Sequence, residues 1–170
     1  MTLEQVAALS QVVAAGGVIA SLVFVGLQIR DSAKAVRSAA AQAVHENFGT
    51  LYAQLAQNPQ ALETFLKGCI DAGTLDTTAR EQFTCFGMAV LSFYQNAFDQ
   101  WRVGHLRTDL WTGWETLLTN FLHTPGGAVF WGDRGYAFGT DFQSHVTRIM
   151  SRPASPLATT FGVKISAGGA

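Results

Sequence analysis

Between Glu4 and Arg30 the chain carries no charged side chain. Residues 6–29 fill the interval with VAALSQVVAAGGVIASLVFVGLQI, and this run constrains the fold more than any other. At 1.5 Å of rise per residue, a helix of that length reaches about 36 Å, against about 30 Å of bilayer hydrocarbon. It can cross a membrane with some tilt. Ser10, Gln11, Ser21 and Gln28 dilute the run, but Gln11 and Gln28 fall near its ends, within reach of water and headgroups. Two rival readings fit less well. A buried helix of a soluble protein normally keeps a polar stripe, and none of any width is present. A cleaved signal peptide needs positive charge ahead of its apolar core. Here the early charge is Glu4, and the A-x-A-like site at residues 39–41 comes late.

Composition points the same way. Charged residues make up 14% of the chain and hydrophobic ones 48%, whereas soluble domains carry about 25% charged residues. A lipid-embedded segment accounts for the deficit, and the lipid bilayer is the first expected partner. The net charge of −1 leaves no basic excess to neutralise phosphates, so no nucleic-acid partner is expected. The length suits one domain beyond the anchor. The expected division is an anchor over 1–30, a helical domain over 31–152 and a flexible tail over 153–170.

The flanks of the run also give it a direction. No Lys or Arg precedes it, whereas Arg30, Lys34 and Arg37 follow it at i, i+4 and i+7, on one helical face. These can snorkel toward anionic headgroups of the cytoplasmic leaflet. The positive-inside rule then puts the N-terminus outside and the domain in the cytoplasm. In that compartment Cys69 and Cys85 are expected as reduced thiols, and both fall on apolar helical faces as inert core residues. Within the run, Gly16 with Ala20 and Gly17 with Ser21 form i,i+4 small-residue pairs that let two helix backbones approach closely. They are the candidate surface for self-association or for docking on a membrane-protein partner. Ordinary glycine content in a spanning helix explains them as well.

After Arg30 the helical pattern continues through Val36, Ala40, Val44, Phe48, Leu51 and Leu55, so the anchor is expected to run on as a stalk and to end before Asn58-Pro59. Asn58 then caps a short helix with Leu62, Phe65, Leu66 and Cys69 or Ile70 inward. Asp76, Thr77 or Thr78 caps the next, and Thr78 with Glu81 fits a capping box. That helix is predicted to reach about Val103, with Phe83, Phe86, Val90, Tyr94, Phe98 and Trp101 along one side and Gly104 closing it. Asp109 is the expected cap of a fourth helix, with Leu110, Trp114, Leu117, Leu118 and Phe121 inward. The Thr124-Pro125-Gly126-Gly127 turn opens a short helix through Trp131. Gly132, Gly135 and Gly139 predict an irregular stretch, and Asp141 starts a last helix with Phe142, Val146 and Ile149 inward. The fold class is all-α: an N-terminal transmembrane helix continuing into a small helical bundle.

Signatures of chemistry are missing. His45, His105, His123 and His145 never stand at i,i+3 or i,i+4 from one another, and neither H-E-x-x-H nor E-x-x-H occurs, so no metal site and no cofactor is expected. There is no phosphate-cradling P-loop and no G-x-S-x-G elbow. The most pointed cluster is Tyr94, Asn96, Asp99, Gln100 and Trp101, with two amides four residues apart on an aromatic-rich helix. Turned inward, they would fix a small ligand in an aromatic pocket; turned outward, they are a polar flank. Trp111 joins the candidates because the other apolar residues of its helix already define an inward face without it, and tryptophan favours interfaces.

The order of these features resembles a group of small bacterial membrane-anchored proteins. Its members have one N-terminal spanning helix, a boundary like Gln28-Ile29-Arg30 and a basic alanine-rich helix like Ala35-Val36-Arg37. They continue with an aromatic amide stretch like residues 94–101, leading into Gly104, Leu106, Trp111 and Trp114. A P-G-G turn with a following tryptophan, as at Pro125 and Trp131, completes the pattern. The resemblance covers about residues 3–150, departs from it over the glycine-rich 132–139, and implies architecture, a bacterial inner membrane and no catalytic residues. The expectation is therefore a non-enzymatic, membrane-anchored accessory or scaffold subunit. A tethered ligand-binding or sensory module is the alternative.

Overall fold

The computed structural model describes residues 3–153, 159–160 and 163–164. The fold is all-α. Helix α1 runs over Leu3–Gln57, and by internal contacts the chain forms two units, Met1–Ala39 and Ala40–Ala170. The second unit holds the end of α1 and five further helices: α2 (Pro59–Asp71), α3 (Thr77–Arg102), α4 (Thr108–Leu122), α5 (Pro125–Arg134) and α6 (Thr140–Met150). Most of the tail expected over 153–170 lies outside the described residues; within it, Thr159–Thr160 pairs antiparallel with Val163–Lys164.

Local chemistry sets the helix ends. Pro59 lacks an N–H that the first turn of a helix does not need, and the Asn58 side chain accepts from the Ala61 N–H at 3.1 Å. Asp76, rather than a Thr78–Glu81 box, caps α3 by accepting from the Ala79 N–H at 2.8 Å. The end of α3 is a Schellman motif. Gly104 takes φ +74°, its N–H bonds the Trp101 carbonyl at 3.0 Å, and the His105 N–H reaches the Gln100 carbonyl at 2.9 Å. A side chain there would be strained, which is why glycine closes this helix.

Two expectations need correction. Asp109 does not cap α4. The helix starts two residues earlier than that cap implies, after Arg107 with no side-chain cap, and the Asp109 carboxylate pairs with the Arg107 guanidinium in the first turn. The stretch over 132–139 is not irregular throughout. Gly132 stays inside α5, and a short 3₁₀ turn, Gly135–Ala137, links it to α6. Thr124 secures this segment: its hydroxyl donates to the Phe121 carbonyl at 2.7 Å and accepts from the Gly127 N–H at 3.0 Å. A capped, proline-started helix thereby tolerates glycines that propensity alone disfavours.

The core lies among all six helices of the second unit. Val44 and Leu55 of α1, Phe65 of α2, Leu91 and Phe98 of α3, Leu118 and Phe121 of α4, Phe130 of α5 and Phe142, Val146 and Ile149 of α6 are all buried. Aromatic rings join the layers, as where Phe48 approaches Phe93 at 5.3 Å and Phe65 stacks on Phe121 at 6.0 Å. Helices α2 and α5 meet almost backbone to backbone. A Cβ on Gly126 would lie 1.8 Å from the Gly68 carbonyl oxygen, so only glycine fits.

Candidate functional site

The first unit is defined by what it leaves uncovered. Among the described residues there is one helix long and apolar enough to cross a membrane, and its apolar window is not buried at all. Val18, Ile19, Leu22, Val23, Phe24, Val25, Leu27 and Ile29 are each 47–66% exposed. At 100° per residue these eight spread around most of the axis, leaving one gap of about 100° that holds Ser21 and Gln28, so no single protein face would cover them. With 1.5–3 kcal/mol for burying each such side chain in full, their exposed share leaves roughly 7–14 kcal/mol of hydrophobic stabilisation unrealised in water.

The predicted small-residue face is open. Gly16, Gly17, Ala20 and Ser21 are exposed, and a Cβ on either glycine meets nothing within 4 Å. The Ser21 hydroxyl donates to the Gly17 carbonyl at 2.9 Å, so its hydrogen bond is satisfied within its own helix. Arg30, Lys34 and Arg37 are exposed as well, and the Lys34 ammonium stands 3.8 Å from the Asp31 carboxylate. An exposed pair at that distance binds weakly, which leaves the basic flank available to anionic groups.

The aromatic amide cluster does not come together as one pocket. Asn96 is exposed on the outer side of α3. Gln100 works at the helix end, its carbonyl receiving the His105 and Leu106 N–H groups and its side-chain oxygen 3.1 Å from His105 Nδ1. Tyr94 is buried elsewhere, facing Tyr52 and Phe93, and burial raises the pKa of its hydroxyl. The space beside it, lined by Phe48, Tyr52, Leu55, Phe65 and Phe93, is about 20 Å³, which admits a water molecule and no organic ligand. What the fold does unite is Trp101 and Trp111, stacked with centroids 5.6 Å apart. Trp111, expected off the inward face, is only 2% exposed and is the largest fully buried side chain. Its helix α4 is covered from two sides, by α3 and α6, so the buried face is wider than a single stripe.

Beside these tryptophans lies a polar cluster that sequence reasoning missed. The His145 ring is buried against Phe98 at 4.7 Å and Trp111 at 5.5 Å. The Arg148 guanidinium approaches its Nδ1 at 2.6 Å. Arginine has only donors, so Nδ1 must accept and the ring proton belongs on Nε2. Nε2 stands 2.9 Å from Glu115 Oε1, at ion-pair distance but off the axis of a well-formed hydrogen bond. Arg152 approaches the other oxygen of Glu115 at 3.6 Å, and the Arg152 carbonyl meets His123 Nε2 at 2.9 Å. Burial depresses the His145 pKa; the Glu115 carboxylate opposes this, and Arg148 and Arg152 add to it. Burial thus favours the neutral ring, with Nδ1 held as an acceptor by Arg148 and Nε2 beside Glu115 without a hydrogen bond of its own, an arrangement that ties α6 to α4. The readable signal was position: His145 stands three residues after Phe142 and four before Ile149, on the apolar face of α6.

The two cysteines differ. Cys69 is buried, and desolvation pushes its thiol up to about 12 despite a hydrogen bond with Thr124. Cys85 is exposed rather than a core thiol, and both are free. Among the described residues, no three His, Cys, Asp or Glu side chains gather as metal ligands would. Set against known protein families, curated proteins and solved structures, the chain matches none.

Proposed function

We propose that this chain is a membrane-anchored, non-enzymatic interaction protein, an accessory or scaffold subunit of a membrane complex or a homo-oligomer. The observation that carries the reading is the belt of eight large apolar side chains exposed around most of the α1 axis. Lipid satisfies such a belt on every side, whereas a partner protein would have to surround it. Residues 6–29 then cross the bilayer, which in a bacterial cell is the inner membrane. Arg30, Lys34 and Arg37 mark the cytoplasmic side, because lysine and arginine near a span are retained there. The domain that follows is cytoplasmic, and the N-terminus is outside.

The interaction role draws on the open small-residue face at Gly16, Gly17, Ala20 and Ser21, where a second helix can approach without displacing a side chain. A tethered ligand-binding module is less well supported, since the space beside Tyr94 is too small for an organic ligand. Two measurements test the reading. Alkaline extraction of membranes should leave the chain in the pellet, and a reporter fused at residue 153 should be active only in the cytoplasm; a soluble chain defeats the anchor. Purification in mild detergent should yield an oligomer or a stable complex. Recovery of a lone monomer under those conditions defeats the interaction role.

A further inference from the structure

The buried cluster at the end of α6 is built around a histidine whose neutrality its neighbours require. From α4 the His145 ring faces Glu115; from its own helix, Arg148; from the residues after α6, Arg152. From α3 it faces only Phe98 and Trp101, and the nearest charge there, Arg102 over the Phe98 ring, is already paired with Asp141. Nδ1 can accept from Arg148 only while it carries no proton. A proton on Nδ1 sets an N–H against the guanidinium N–H at a separation of 2.6 Å, two donors with no acceptor between them. The same proton turns the contact with Glu115 into a full ion pair at a buried ring and a carboxylate only 19% exposed, where opposite charges attract more than they do in open water.

We propose that acidification unlatches the last turn of α6: protonated His145 keeps Glu115 and expels Arg148, and Arg152 loses its share of the Glu115 carboxylate. Around the ring the charge rises from one carboxylate against two guanidiniums to one against three cations, so the outermost cations leave. These are Arg148 and Arg152, both exposed. The imidazolium–Glu115 pair and the buried Ile149 keep α6 on α4, so the bundle holds while the outer side of its final turn, at Arg148 and Ser151, loosens.

The direction of the pH response follows from linkage. An unfolded histidine takes up its proton near pH 6.5. Burial delays that uptake in the folded chain. The stability contributed here is therefore complete above about pH 6.5 and declines as the pH falls through the lower folded value.

The experiment uses the full chain in detergent micelles with labelled histidine. Side-chain resonances report the ionisation of His145, and amide hydrogen exchange at residues 148–151 reports the latch. Between pH 7.5 and 5, exchange at 148–151, corrected for its intrinsic pH dependence, should quicken about tenfold as His145 takes its proton, while α3 and α4 keep their protection. In His145→Gln, which keeps a donor and an acceptor but does not titrate, that change should vanish. The idea is overturned if His145 stays neutral to pH 4.5, if it protonates with residues 148–151 unchanged, if acid loosens the whole bundle together, or if His145→Gln responds as the wild type does. Should the variant not fold, the wild-type titration alone decides.

Discussion

The two units use the same residue types to opposite ends. In the bundle, leucine, valine, isoleucine and phenylalanine side chains such as Leu91, Val146, Ile149 and Phe142 are at most 1% exposed. In α1 before Arg30, Leu22, Val23, Phe24 and Ile29 stand about 60% exposed. The difference is pattern rather than hydrophobicity. Apolar residues of α6 recur on one face, with Thr140, Ser144 and Thr147 turned to water. Those of residues 18–29 leave only the narrow face of Ser21 and Gln28 polar, too little for ordinary amphipathic packing. One unit buries its apolar surface in itself; the other needs a solvent that is not water.

That contrast can be broken or sharpened by substitution. The largest expected effect is in the bundle. Trp111→Ala empties the space between α3, α4 and α6 and should lower unfolding stability by about 3–5 kcal/mol in detergent-solubilised protein, with membrane extraction unchanged. Gly126→Ala follows at about 3 kcal/mol, since its methyl would collide with the Gly68 carbonyl. Leu22→Arg should act only on the other unit. It raises the cost of insertion by about 3 kcal/mol and moves chain from the membrane pellet to the supernatant, while the melting temperature of the bundle stays put. If Leu22→Arg instead melts the bundle, the two units are not energetically separate and the comparison fails. The smallest effect belongs to Asn96→Ala, on an exposed surface of α3. It should leave thermal stability within about 0.5 kcal/mol; a larger loss would mean that Asn96 has a partner or ligand.

Much of this arrangement was legible in sequence because it is local. Helix boundaries at Asn58-Pro59, Gly104 and Pro125 depend on one or two residues each, through a missing N–H, a left-handed turn or a side-chain cap. Where a boundary offered several equivalent residues, sequence could not choose, and Asp76 rather than Thr78 took the cap of α3. Asp109 was misread because a guanidinium two residues before it competed for the carboxylate. Trp111 was misplaced for a different reason. A helix packed on two sides has no single inward stripe, and no periodicity within α4 reveals that α6 covers it too.

What the sequence alone determined is the uncharged run before Arg30, the basic residues after it and an all-helical chain behind them. These depend on neighbours in the chain and on backbone geometry. The tertiary structure decided which polar residues meet. It separated Asn96 and Gln100 from Tyr94, stacked Trp101 on Trp111, and brought Glu115 of α4 to His145 of α6, thirty positions along the chain. No spacing rule links those residues. Packing joins them: once the aromatic rings of α3 and α4 exclude water, a histidine on the apolar face of α6 must find its partners among whatever charged groups the fold carries there.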